Sequence, residues 1–281
     1  MTARTCLLTL FFVVVVAPVL WGLGYAFAYS VGWAGLLSQG FTLEHWRQVL
    51  AGNEVLPSLA YSLAIAAATL LLTLALSLTL ALTFRQSVNR GLLSDALLFP
   101  LALPPTVAAL FMFQVLSGAG LLSRAAYHLG LVHEPREFPE LVFDAAGVGI
   151  VSTHLLLAVP FFTLLYARLY ENERLGELTS LARTLGASPL ACVRRVVLPI
   201  LLWRSLPNLS LFFIGVLGSF EIPSLLGAQS PRMISVLTRQ KFALYDLSEK
   251  PQAYIVAVIY SLLSLSLISL ALRKREVVHV A

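Results

Sequence analysis

The chain has 281 residues, of which 58% are hydrophobic and 12% charged. That charged share is about half that of an ordinary soluble domain, and a water-soluble fold of this size would have too few polar groups to cover its surface. The composition therefore excludes most soluble enzymes and predicts an all-α integral membrane protein. The formal net charge of +5 marks loops rather than a nucleic-acid partner, because basic residues gather in cytoplasmic loops. Cys6 and Cys192 lie far apart, with no metal-ligand or redox spacing.

Charge-free stretches run from Arg4 to Glu44, Glu54 to Arg85, Asp95 to Arg124, Asp144 to Arg168 and Lys250 to Arg273. Each holds about 20 residues or more, enough to cross roughly 30 Å of hydrocarbon. A further stretch beyond Arg204 reaches that length if it runs through Glu221 to Gly227. Six helices are predicted, near 7–29, 58–84, 96–117, 145–167, 205–227 and 252–272.

The first of these has features of a cleaved signal peptide, since Arg4 precedes an apolar run and Ala26-Phe27-Ala28 offers a small-x-small site. The run is longer than a signal-peptide core, so an uncleaved helix is predicted. Residues 1–54 then hold the first helix and an outer loop, 55–272 a core of five helices, and 273–281 a tail. With the N-terminus inside, the inner segments carry twelve Lys and Arg against seven outside, which predicts a multi-pass protein with both termini cytoplasmic.

In the third predicted helix, Pro100, Pro104 and Pro105 introduce kinks, and Gln114 is a weak candidate for a pathway residue. Pro160 does the same in the fourth helix, where His154 is the second weak candidate. A lone buried histidine is more often hydrogen-bonded to a neighbouring helix.

The longest polar interval, 168–204, is unlike a solvated linker. Leu178, Leu181, Ala182 and Leu185 fall at i, i+3, i+4 and i+7, an amphipathic stripe. Gly186 is placed to end that helix in a left-handed turn, and Ser188 with Pro189 form an N-cap and first-position pair that starts the next. The result is a cytoplasmic helical hairpin near 178–190 with Arg194 and Arg195 on its second arm. Composition alone leaves two uses for it open: docking into a groove on a partner, or lying on lipid headgroups.

In the fifth predicted helix Glu221 is the one acid inside a span. It sits about 24 Å from the helix start at roughly 1.5 Å per residue. An intramembrane carboxylate faces a cavity or a partner rather than lipid, and Pro223 removes a backbone hydrogen bond close by. Glu221 and Pro223 are thus pathway or gate candidates, the alternative being a structural carboxylate.

No His-Glu-x-x-His, Gly-x-Ser-x-Gly or phosphate-cradling P-loop is present. The chain is expected to be no enzyme and to need no cofactor or metal. An ion-coupled secondary transporter, of which six helices would form half, is the alternative transport class. That class would call for more intramembrane ionisable groups than Glu221 and His154.

The run Leu181-Ala-Arg-Thr-Leu-Gly-Ala-Ser188, followed by Val196-Val-Leu-Pro199, resembles the cytoplasmic signature of permease subunits of binding-protein-dependent ABC importers. His154 with Pro160-Phe161, and Pro100 to Pro105, extend the resemblance over about 55–272. It implies a type I importer permease fold in a bacterial inner membrane, with the hairpin as a coupling helix. Ser180, Leu181, Ala182, Leu185, Gly186, Ala187 and Ser188 would then meet a separate ATP-hydrolysing subunit, Leu185 filling an apolar pocket. Where the family has Glu-Ala-Ala, this chain has Ser180-Leu-Ala182, with Glu177 one turn earlier. The implied partners are an ATP-binding subunit dimer, a second permease, homologous or identical, and an extracytoplasmic solute-binding protein, all in membrane lipid. The stretches Ser219 to Gly227 and Ile234 to Thr238 look like the subgroup importing polyamines, ferric iron, thiamine and phosphonates.

Overall fold

The computed structural model describes residues 3–35, 38, 40–89, 91–134, 137–244 and 246–279. Arg90 and Arg136, counted above among the loop charges, lie outside these. Among the described residues every regular element is a helix, with no strand. Among the described residues six helical segments are long and apolar enough to cross a membrane: Arg4–Ser30, Val55–Thr83, Pro105–His128, Val148–Asn172, Pro189–Leu226 and Leu247–Ser269. The all-α, six-span expectation holds.

The chain divides into two compact units, one of Met1–Ala60 with Met233–Ser266, the other of Tyr61–Arg232 with Leu267–Ala281. In the first, Val49, Val55, Ile234, Leu237, Ile255 and Val256 form a buried apolar cluster. Tyr29 stacks on Tyr254 with ring centroids 4.3 Å apart. Lys241 ties the unit together through Glu54 at 3.0 Å and Gln252 at 3.0 Å. The second unit is built around Phe162, Tyr166, Leu175, Val197, Leu201 and Leu209, with the Tyr166 hydroxyl 3.3 Å from Ser205 Oγ.

Proline decides where the apolar stretches stop being regular helix. The stretch expected as one helix near 96–117 is broken. A helix at Leu92–Leu98 gives way to a short 3₁₀ turn at Pro100–Ala102, and a new helix starts at Pro105. Leu103 and Pro104 are extended, with ψ of 125° and 145°, as expected for residues that each precede a proline. Pro105 takes the first helical position, where a missing N–H costs nothing. Pro100, Pro104 and Pro105 therefore end and start helices instead of kinking one, whereas Val148–Asn172 runs on through Pro160.

The fifth span also differs from its expected limits of 205–227. Its helix begins as the second arm of the 168–204 hairpin, at Pro189–Cys192, passes through a π turn at Val193–Val197 and continues over Leu198–Leu217. At the π turn the Leu198 N–H donates to the Val193 carbonyl, five residues back. Pro199, the next residue, has no N–H and its ring would crowd the Arg195 carbonyl, so a wider turn relieves both problems. The first span repeats the device, with a π turn at Phe12–Val16 just before Pro18.

The fifth helix stops at Gly218, and a separate short helix covers Glu221–Leu226. Glu221 is consequently not in the interior of a spanning helix but in the first turn of a new one. Pro223 breaks no hydrogen bond of a long helix; it lies in a first turn, where amide N–H groups have no helical partner anyway. The sixth helix runs past its expected end at 272, over Lys250–His279.

Candidate functional site

Two places gather the candidate residues. The first is the turn between the fourth and fifth spans, whose first arm is Leu175–Thr184. The Ala187 N–H donates to the Ala182 carbonyl at 3.0 Å and the Gly186 N–H to the Arg183 carbonyl at 3.0 Å, the paired bonds of a glycine-terminated helix. Gly186 has φ of +88°, and a Cβ there would meet nothing within 4 Å. Its requirement for glycine is thus backbone conformation alone. Ser188 Oγ accepts from the Ala191 N–H at 3.3 Å, and Pro189 follows as the first helical residue. The hairpin predicted from Gly186, Ser188 and Pro189 is present.

Its apolar stripe points away from the protein. Leu181 is 62% exposed, Leu185 89% and Leu190 76%. Ala182 and Ala187 are half-buried, and Ser180, exposed, donates to the Gly176 carbonyl at 2.9 Å. The opposite side is anchored by buried Leu175 and Cys192. Leu190 was not part of the predicted stripe, because it lies beyond the turn where helical spacing no longer applies.

The base of the hairpin is braced. Arg204 grips Glu173 with two bonds, Nε to Oε1 at 2.8 Å and Nη2 to Oε2 at 3.0 Å. Arg85 lies over the Tyr170 ring, 4.4 Å from its centroid. Between the fourth span and the hairpin, Arg174 adopts φ of +49°, an uncommon conformation for a residue with a side chain.

The second place is an open cleft of about 710 Å³, lined from the fourth and fifth spans, the short helix after them, and Leu101 and Pro105 at the break before the third span. Of the four pathway candidates it takes in Glu221 and His154. Gln114 is exposed elsewhere on Pro105–Leu116, and Pro223 is buried outside the lining. His154 is buried and its Nδ1 lies 2.9 Å from the Ile150 carbonyl. A carbonyl only accepts, so Nδ1 carries the proton, and in the neutral ring Nε2 is left as an acceptor. Asn208 and Ser219 complete the polar lining. Asn208 was missed, although an amide in an apolar span just after Pro207 is the same kind of signal as Gln114. The rest of the wall is apolar, with Phe161, Phe162, Phe212 and Phe220 prominent.

No family model matches the chain. It is 28% identical over 184 residues to a probable ABC transporter permease protein of Sinorhizobium fredii. That match covers 65% of this chain and only 30% of the relative's length. In three dimensions it superposes on a chain of a bacterial ABC transporter involved in the import of the acidic polysaccharide alginate. There the TM-score is 0.70, covering 98% of this chain and 94% of that one at 14% identity. A second structure, of a bacterial alginate ABC transporter in complex with an alginate pentasaccharide-bound periplasmic protein, gives a TM-score of 0.69 at 15% identity, covering 96% and 91%. The fold is that of an ABC importer permease. The resemblance to importer permeases read from the sequence agrees with the permease named in the curated relative and with the fold of the solved importers. In the permease fold the exposed hairpin and the cleft share one helix, Leu198–Leu217, which begins at the first and lines the second.

Proposed function

We propose that the chain is the membrane-spanning permease subunit of an ATP-driven solute importer in a bacterial inner membrane, with both termini cytoplasmic. It pairs with a second permease, homologous or identical. Two ATP-binding subunits dock below and a solute-binding protein delivers substrate from outside. ATP hydrolysis resides in the docked subunits. The cleft holding Glu221 and His154 belongs to the substrate pathway, and the substrate falls among polyamines, ferric iron, thiamine and phosphonates.

The observation that carries this reading is the 89% exposure of Leu185 at the tip of a braced hairpin. Water does not favour such a leucine; about 25 cal/mol per Å² returns when it enters an apolar groove. Residues 180–188 form the contact, and Glu177 supplies the acidic contact absent at Ser180. Because the second arm runs through the π turn into Leu198–Leu217, displacement of the hairpin moves that helix as a lever. The Arg204–Glu173 fork carries the motion to the fourth span.

Co-purification tests the reading. The wild-type chain, co-expressed with its cognate ATP-binding subunit, is expected to retain that subunit through affinity purification in detergent. Leu185→Asp should lose it while still inserting and folding. Equal retention by both would remove the hairpin from the contact, and ion-gradient uptake without nucleotide would replace the importer with a secondary transporter.

A further inference from the structure

The cleft carries information about what can pass through it. Among the described residues, Glu221 is the one charged residue in its lining, and no Lys or Arg lines it. The Glu221 carboxylate forms no ion pair among the described residues. Around it stand further acceptors: the amide oxygen of Asn208, whose side chain has no partner among the described residues and whose NH2 also offers donors, and, when the ring is neutral, the His154 Nε2 opposite the Nδ1 that faces the Ile150 carbonyl. A ligand suited to this set donates hydrogen bonds and carries positive charge.

The walls narrow the class further. Phe161 and Phe220 are 44% and 40% exposed. Phe162 packs edge-on against both Phe161 and Phe212, with centroids 5.2 and 5.4 Å apart, so the rings are held in place. An aromatic face attracts a cation within about 6 Å, and it also offers apolar contact to the body of the ligand. One carboxylate balances one positive charge. A second or third charge entering the same apolar cleft would find no counter-ion in this chain's described lining, and desolvating an unpaired charge is costly. An acidic saccharide would meet a like charge and no cation.

We propose that the cleft selects a singly charged organic cation with an aromatic or otherwise apolar body, Glu221 meeting the charge and Asn208 accepting a hydrogen bond. The inference rests on reading the cleft as part of the substrate pathway. It separates this chain's pathway from one built for polyanions and, within the proposed substrates, from phosphonates, ferric ion and multiply charged polyamines.

Equilibrium binding to the full-length chain in lipid nanodiscs tests it, with radiolabelled thiamine as the singly charged aromatic cation, spermidine as the multiply charged one and an alginate trisaccharide as the polyanion. Thiamine should bind, spermidine at least tenfold more weakly, and the trisaccharide not at all. Glu221→Gln should weaken thiamine binding tenfold or more, and Asn208→Leu several-fold, with the thermal transition of each variant unchanged. Absence of thiamine binding, thiamine binding indifferent to Glu221→Gln, or equal binding of spermidine or the trisaccharide would overturn the proposal. The ATP-binding subunit is followed in parallel. If it co-purifies with the wild type and not with Leu185→Asp while thiamine fails to bind, the selectivity falls and the importer reading stands. The reverse pattern would reject the importer reading alone.

Discussion

Gly186 illustrates how one backbone angle fixes an exposed surface. With φ of +88° and open space where a Cβ would go, replacement by leucine costs about 1–2 kcal/mol of conformational strain and no clash. Gly186→Leu is expected to unwind the turn and release the ATP-binding subunit in a pull-down, while the six spans still insert. Gly186→Asn should largely restore retention, because asparagine tolerates the left-handed region. Equal retention by the leucine variant would show that the turn does not position the contact. The Glu173–Arg204 fork makes a different kind of prediction. The Arg204 side chain is 47% exposed, so the pair adds only about 0–1 kcal/mol to stability. Glu173→Ala should hardly move the melting temperature yet lower ATP-driven uptake severalfold, and the double exchange Glu173→Arg with Arg204→Glu should recover much of it. A drop in melting temperature matching the loss of uptake would instead make the pair a structural one.

Among the elements, the π turn at Val193–Val197 sets the register between hairpin and fifth helix. Pro199→Ala restores the missing N–H and removes the ring, which permits a regular α-helix. Removing one residue's worth of widening rotates everything on the hairpin side by about 100° relative to the helix beyond, at 3.6 residues per turn. The variant should be at least as stable as the wild type in a thermal assay, and it should lose coupled uptake; unchanged uptake would show that the register does not matter.

The hairpin was legible in the sequence because its signals are local: Gly186 demands one conformation, and Ser188 with Pro189 announce a helix start. The helix breaks were not. A count of apolar residues measures whether a stretch can cross hydrocarbon and says nothing of where regular hydrogen bonding stops, and spanning helices tolerate proline often enough that Pro104 and Pro105 read equally well as kinks. Glu221 was recognised as an exception in an apolar stretch, but its placement in a new helix follows from the stop at Gly218. Asn208 carries the same lone-amide signal as Gln114, but its place beside Glu221 and His154 in the cleft lining is created only by the packing of the spans.

For the whole molecule, one helix joins the two candidate sites, so events at the hairpin have a covalent route to the cleft. On the proposed function, this route is how a chain without a nucleotide-binding motif would contribute to ATP-driven transport, receiving motion at one end and changing access at the other. Crosslinking from residue 185 tests that most directly. Cys6 is exposed and Cys192 buried, so a Cys6→Ser background leaves a Leu185→Cys thiol as the accessible one in the described chain. A short bifunctional thiol reagent applied to membranes holding the full complex is predicted to join position 185 to the ATP-binding subunit and to arrest ATP-driven uptake. A residue 185 that reacts only with lipid-borne probes, with uptake intact after full modification, would contradict the account.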